Sequence, residues 1–62
     1  MKPLIGITTA QSKTVNDQPT VMLMQSYIHA VRQAGGVPIL IPSLLAEDGW
    51  DTVYTRVDGI LF

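Results

Sequence analysis

The sequence predicts an α/β fold built from parallel strands and the helices that connect them. Two short apolar runs, residues 4–8 and 37–41, do not alternate apolar with polar side chains, which is typical of strands covered on both faces. Between them lies an amphipathic helical pattern that stops at Gly35 and Gly36. A helix that ends at glycine and leads directly into an apolar strand is the second half of a β-α-β unit.

The size, charge and composition of the chain exclude several classes of protein. The chain has 62 residues, a net charge of −1 and 15% charged residues, so no basic surface for nucleic acid or anionic membranes is expected. It contains no cysteine, which excludes disulfides and a cysteine nucleophile within these residues. The apolar run near Met1 is too short for a signal peptide, and residues 37–41 are too few to span a membrane. These features predict a soluble, cytoplasmic protein without a membrane partner.

The first strand, residues 4–8, precedes a polar segment that is predicted to be a loop over residues 9–19. The loop contains Asn16, Asp17 and Pro19. It is longer than the roughly two to six residues that usually join a strand to a helix in such units. Loops of this kind lie at the carboxyl ends of strands, where open α/β sheets bind ligands.

The first helix is predicted over residues 20–34. Thr20 is the expected N-cap, with Asp17 as the alternative if the helix starts earlier, and Gly35 or Gly36 supplies the left-handed residue that ends it. The apolar side chains share one arc of the helical wheel: Val21, Leu23, Met24, Tyr27, Ile28, Val31 and Ala34.

The second half of the chain repeats the pattern in a shorter form. Pro38 removes one backbone donor from the second strand, which favours an edge position. A second helix is predicted from apolar residues at i, i+3, i+4 and i+7, namely Trp50, Val53, Tyr54 and Val57. Asp48 is its expected N-terminal cap, Asp58 and Gly59 end it, and residues 60–62 begin a third strand.

The order β-α-β-α-β leaves two arrangements of three parallel strands with right-handed crossovers. If both crossovers run the same way, both helices cover one face. If the second reverses, the first strand is central, the order is 2-1-3 as in flavodoxin-like sheets, and the helices cover opposite faces. We favour the second arrangement, because it explains a first strand that is apolar on both sides and leaves Pro38 at an edge.

The apolar third strand at residues 60–62 would expose an unpaired hydrophobic edge. Residues 1–62 are therefore expected to be an incomplete amino-terminal segment of one flavodoxin-like, three-layer domain, whose remainder covers that strand. The alternative is a mini-protein stabilised by self-association, as a homo-oligomer.

Few residues carry recognisable chemistry. No glycine-rich phosphate loop follows the first strand, and His29 lies on the polar arc of the helix, where a solvated surface histidine is the better interpretation. The acidic residues near position 48 fit helix capping better than metal binding. Position alone indicates residues 8–12, with Pro42 and Ser43, as candidate substrate contacts, since they follow strands at the ligand-binding edge. No catalytic residue, metal site or cofactor is assigned.

Three segments together resemble one enzyme family: residues 3–9 (PLIGITT), 27–42 (YIHAVRQAGGVPILIP) and 58–62 (DGILF). In order and spacing they are similar to the start of class I glutamine amidotransferase-like hydrolases of the γ-glutamyl-γ-aminobutyrate hydrolase type, peptidase family C26. The resemblance implies a small-molecule γ-glutamyl substrate, attacked by a cysteine that a histidine and an acidic residue activate. It also implies an oxyanion hole formed by a Gly-Gly segment directly after the third strand.

None of these functional residues matches a position in this chain, so the 62 residues alone are expected to be inactive. Two other classes stay open. One is a periplasmic-binding-protein-like ligand-binding domain, which also opens with an Ile-Gly-Ile strand and a helix that ends at glycine. The other is a flavodoxin-like binding domain without catalytic residues. The junction of Gly36 with Val37 and Pro38 favours the amidotransferase interpretation.

Overall fold

The computed structural model describes all of residues 1–62 and contains five strands and two helices. In chain order these are β1 (Leu4–Thr8), β2 (Ala10–Lys13), β3 (Pro19–Met22), α1 (Gln25–Gln33), β4 (Val37–Ile41), α2 (Glu47–Arg56) and β5 (Gly59–Leu61). Neither helix is long and apolar enough to cross a membrane.

Strands β4, β1 and β5 form a parallel sheet in that order. The predicted arrangement is therefore confirmed, since the first of the three parallel strands lies between the other two. Pro38 pairs with Ile5 on an edge strand whose other side has no neighbour, so its missing N–H leaves no gap between strands.

The two helices lie on opposite faces of this sheet. A Cβ built on Gly36 would lie 3.0 Å from Ile5 Cγ1 and 3.1 Å from Val31 Cγ1, so Ile5 and α1 share one face. The next residue, Gly6, faces Ile41 and Val57, the latter at the end of α2. Successive residues of a strand point to opposite faces, and the central strand is covered on both.

The end of α1 is as predicted. Gly35 has a φ of +91°, its N–H donates to the carbonyl of Arg32 at 3.0 Å, and the N–H of Gly36 donates to the carbonyl of Val31 at 3.0 Å. This pair of bonds is a Schellman motif, which uses two carbonyls that the helix itself cannot pair. The chain then enters β4 directly.

The predicted loop over residues 9–19 and the predicted helix start at Thr20 are wrong. Residues 10–13 and 19–22 pair as an antiparallel hairpin, β2 with β3, and Thr20 pairs with Ser12 inside it. Helix α1 begins only at Gln25, with Met24 at the N-cap and no side-chain cap bond. Val21 fits the helical periodicity, but its cross-strand pairing with Gln11 places it in the hairpin instead.

Asp17 does not cap the helix either, because it forms the turn of the hairpin. It has a φ of +63°, and its N–H donates to the carbonyl of Thr14 at 2.9 Å. The hydroxyl of Thr14 accepts the N–H of Gln18 at 3.1 Å, and Lys13 Nζ lies 3.4 Å from Asp17 Oδ1. Asp tolerates left-handed backbone better than most residues, which explains its place here.

Helix α2 begins at Glu47, with Ala46 at the N-cap, so Asp48 lies in the first turn rather than at the cap. Beyond the helix, Asp58 bridges back to the start of β1. The N–H of Leu4 donates to Asp58 Oδ2 at 2.7 Å, and the N–H of Asp58 donates to the carbonyl of Leu4 at 2.8 Å. This reciprocal pair aligns β5 with β1 just before their ladder begins.

Candidate functional site

The strand order reverses between β1 and β5. The chain leaves β1, reaches β4 on one side of it, and then crosses to β5 on the other side. In open α/β sheets, ligands bind outside the carboxyl ends of the strands at the point where the order reverses. The carboxyl ends of β1 and β5 are therefore where a ligand site is expected.

A concave pocket of about 430 Å³ occupies this position, and we call it the β1/β5 pocket. The volume lies within the ~300–1,000 Å³ that is typical of small-molecule sites. Its lining comes from the two strand ends, the hairpin and the first turn of α1: Ile7, Thr8, Thr9, Ala10, Met22, Leu23, Met24, Tyr27, Leu61 and Phe62.

The two threonine hydroxyls of the β1/β5 pocket face backbone carbonyls of neighbouring strands. Thr9 is 9% exposed, and both its hydroxyl and its N–H donate to the carbonyl of Ile41, at 3.0 Å and 3.2 Å. Thr8 Oγ1 lies 3.5 Å from the carbonyl of Leu61, at the limit of a hydrogen bond. No charged side chain lines the pocket. Its side chains offer mainly apolar contact, together with the hydroxyl of Tyr27, which has no hydrogen-bond partner within these residues.

The hairpin places the apolar side chains around this pocket. Ala10 and Met22 are opposite each other in the β2–β3 ladder, and both line it. Met24 and Tyr27 follow at the start of α1, with 64% and 46% of their surface exposed. Thr9 joins the hairpin to β4 through the carbonyl of Ile41, so the wall of the pocket is tied to the central sheet.

The structure brings together only part of the predicted substrate contacts. Thr8 and Thr9 line the β1/β5 pocket, whereas Ser12 faces a separate shallow groove on the hairpin. Pro42 is exposed, and the hydroxyl of Ser43 is buried without a hydrogen-bond partner. Neither of these two residues lines the pocket.

Sequence reasoning missed Met22, Met24 and Tyr27 as pocket residues. Met24 and Tyr27 were predicted on the apolar face of a helix starting at Thr20, and Met22 was predicted only as a packing residue, whereas the structure places all three at the edge of the pocket. The signal that could have found them is the Asn16–Asp17 turn between two short extended segments.

His29, Glu47 and Asp48 lie outside the β1/β5 pocket. His29 is exposed and lines a groove with Lys2 and Arg32 beside the amino end of β4, away from the carboxyl edge. Glu47 and Asp48 lie in the first turn of α2, where carboxylates interact favourably with the helix dipole. No group of three or more His, Asp or Glu side chains is arranged to hold a metal ion.

Two comparisons with known proteins, one with family models and one with individual proteins, indicate the same kind of protein. The family model described as Peptidase C26 matches residues 3–62. A glutamine amidotransferase-like protein of Rickettsia prowazekii (strain Madrid E) is 35% identical over 65 residues, covering 97% of this chain and 22% of the relative. The gamma-glutamyl-gamma-aminobutyrate hydrolase PuuD of Escherichia coli (strain K12) is 32% identical over 59 residues, covering 94% of this chain and 23% of the relative. The corresponding hydrolase of Shigella sonnei gives the same values.

Proposed function

Because the chain belongs to the Peptidase C26 family, we propose that it is the amino-terminal segment of a hydrolase that cleaves γ-glutamyl amide bonds. The family match over residues 3–62 carries the proposal, and two relatives named as gamma-glutamyl-gamma-aminobutyrate hydrolases support the bond type. The chain spans 22–23% of the length of these relatives. The proposal therefore includes a single domain that continues beyond the 62 residues.

The proposed reaction uses a cysteine from that continuation, since residues 1–62 contain none. The cysteine thiolate attacks the γ-carbonyl carbon, and the amine leaves with a proton from a histidine that an acidic residue orients. Water then attacks the resulting thioester, releases glutamate and restores the thiol. The 62 residues alone are accordingly expected to have no hydrolase activity.

Within this mechanism the present residues form scaffold and substrate wall. Thr9 holds the hairpin to β4, and Asp58 aligns β5 with β1. Thr9 is itself part of the wall of the β1/β5 pocket, which lies where sheets of this topology bind ligands. A small-molecule substrate is consistent with the size of that pocket.

The test is to trap the intermediate in the full-length protein that contains residues 1–62. The protein is mixed with a γ-glutamyl amide, quenched with acid, and analysed by intact mass and peptide mapping. We expect the addition of one γ-glutamyl group to a cysteine outside residues 1–62, and prior alkylation with iodoacetamide should abolish it. Absence of an adduct and of glutamate release would contradict the proposal and favour a non-catalytic ligand-binding domain.

Two further parts of the proposal concern location and assembly. We expect the full-length protein in the cytoplasm, which cell fractionation tests. Self-association as a homo-oligomer is a second prediction, which gel filtration with light scattering tests.

A further inference from the structure

Two aspartates of the chain directly precede a glycine, Asp48 before Gly49 and Asp58 before Gly59. In such a pair the backbone nitrogen of the glycine can attack the carboxyl carbon of the aspartate, because no side chain on the glycine hinders the approach. We propose that Asp48 and Gly49 form a site of spontaneous isoaspartate formation, promoted by the hydroxyl of Thr52. This modification site is independent of the proposed hydrolase function.

The nitrogen of Gly49 takes no part in the helical pairing of α2 and already contacts the carboxyl group. Its N–H donates to Asp48 Oδ1 at 2.9 Å. The backbone pairing of α2 starts at Trp50, whose N–H donates to the carbonyl of Ala46 at 3.0 Å. No side-chain hydrogen bond caps this end of α2, so its first turn opens readily. The two reacting groups are therefore close together, on a backbone that can rotate into the geometry of ring closure.

The hydroxyl of Thr52 acts on the same peptide group. It donates to the carbonyl of Asp48 at 3.1 Å, and this carbonyl is conjugated with the nitrogen of Gly49. A hydrogen bond to this oxygen stabilises the negative charge that the peptide group acquires when its nitrogen loses the proton. The contacts that carry the proposal join residues 46–52 only, so the reaction needs no other part of the protein.

The reaction consumes and releases only water. The bond from the Gly49 nitrogen to Asp48 Cγ forms, the C–OH bond of the protonated carboxyl group breaks, and the hydroxyl leaves as water with the amide proton. Water then opens the resulting succinimide ring. Attack on the side-chain carbonyl restores aspartate, whereas attack on the backbone carbonyl leaves the main chain running through Cγ as isoaspartate. Isoaspartate adds one methylene group to the backbone in the first turn of α2.

The second pair, Asp58 and Gly59, is held in a geometry that opposes ring closure. Asp58 Oδ2 accepts the N–H of Leu4 at 2.7 Å, and the N–H of Asp58 donates to the carbonyl of Leu4 at 2.8 Å. Gly59 belongs to β5 and pairs with Ile5. Ring closure would have to release this carboxylate from Leu4 and rotate a backbone that the sheet holds. The structure therefore distinguishes two pairs that are alike in sequence.

The experiment measures isoaspartate at both pairs in the full-length protein that contains residues 1–62. The protein is incubated in mildly acidic buffer, once folded and once in urea, and its peptides are mapped by mass spectrometry with fragmentation that distinguishes isoaspartate from aspartate. In the folded protein we expect isoaspartate to form at Asp48 at least about tenfold faster than at Asp58. In urea the two rates should lie within about threefold of each other, because the contacts that separate them are lost.

Two threonine variants test the promoting hydroxyl. Thr52→Val removes the donor to the carbonyl of Asp48 and should slow isoaspartate formation there by about threefold or more. Thr55→Val is the matched control, because Thr55 Oγ1 donates to a different carbonyl of α2, that of Thr52, at 2.9 Å. It should leave the rate at Asp48 unchanged. Circular dichroism of each variant confirms that the fold is kept.

The outcomes separate the site from the residue that promotes it. Equal rates at Asp48 and Asp58 in the folded protein, or a ratio of rates that stays the same in urea, would overturn the assignment of the site. An unchanged rate in Thr52→Val, or equal slowing in both threonine variants, would overturn the role of the hydroxyl. None of these measurements depends on hydrolase activity, so a failure here leaves the proposed function untouched.

Discussion

Gly6 is the position at which the packing of the central strand is most sensitive to one added methyl group. A Cβ built there would overlap Ile41 Cδ1, would lie 3.2 Å from Ile41 Cγ1, and would meet Val57 Cγ1 at 3.8 Å. Ile41 is 2% exposed, so its side chain has little room to move away. Gly6→Ala should therefore overpack the face of the sheet that α2 covers.

The expected cost follows from two opposing terms. Overpacking a well-packed core typically costs about 1–3 kcal/mol. Replacing a glycine within a strand by alanine returns about 0.5–1 kcal/mol, because the unfolded chain loses freedom. We expect Gly6→Ala to lower the free energy of unfolding by about 1–2 kcal/mol. Urea denaturation of the full-length protein, followed by circular dichroism, measures it.

A double-mutant cycle identifies the cause. Ile41→Val removes the Cδ1 atom that the new methyl group would overlap, and alone it should cost about 0.5–1.5 kcal/mol. Combined with Gly6→Ala, it should cost at least about 1 kcal/mol less than the sum of the single changes. Gly59→Ala is the matched control, because its Cβ meets only Ile5 Cδ1, at 3.3 Å. Additivity of Gly6→Ala and Ile41→Val within about 0.5 kcal/mol would refute the overlap argument.

Substitutions at four other positions test local features of the scaffold by the same unfolding assay. Gly35→Ala should destabilise by about 1 kcal/mol, because the φ of this residue is +91°, although no atom lies within 4 Å of the new Cβ. Gly49→Ala, inside α2, should instead stabilise by about 0.5–1 kcal/mol. Equal effects of the two substitutions would contradict this argument. Asp58→Ala should cost about 1 kcal/mol of stability, because it removes the acceptor of the hydrogen bond from the N–H of Leu4. Asp58→Asn keeps an acceptor oxygen and should recover most of that stability. No loss in Asp58→Ala would refute the contribution of this hydrogen bond. Thr9→Val should cost about 1 kcal/mol while Thr9→Ser stays close to the parent; equal losses would argue against the hydroxyl contact.

The sheet was predictable because it depends on strong local signals. Apolar runs that do not alternate indicate strands covered on both faces, and Gly35 marks the end of a helix by its backbone freedom alone. Pro38 then assigned β4 to an edge, which left the first strand in the centre. Each of these inferences follows from a property of one residue or one short run.

The pocket could not be predicted in the same way, because its walls depend on which residues pair. Val21 and Met24 satisfy a helical period, yet Val21 pairs with Gln11 in the hairpin, and a periodicity argument does not detect such pairing between residues that are distant in the chain. The Asp58 bridge was missed for a related reason, since its partner Leu4 lies 54 residues away. Nothing in the local sequence distinguishes this carboxylate from one that ends a helix.

The hydrolysis of a pair of isomers tests the central claim most directly. The full-length protein that contains residues 1–62 is given the γ-glutamyl and the α-glutamyl amide of benzylamine, and released glutamate and benzylamine are measured together. The account predicts equal amounts of both products from the γ-glutamyl isomer and none from the α-glutamyl isomer. Cleavage of the α-glutamyl isomer alone, or of neither isomer while γ-glutamyl-γ-aminobutyrate also stays intact, would contradict it.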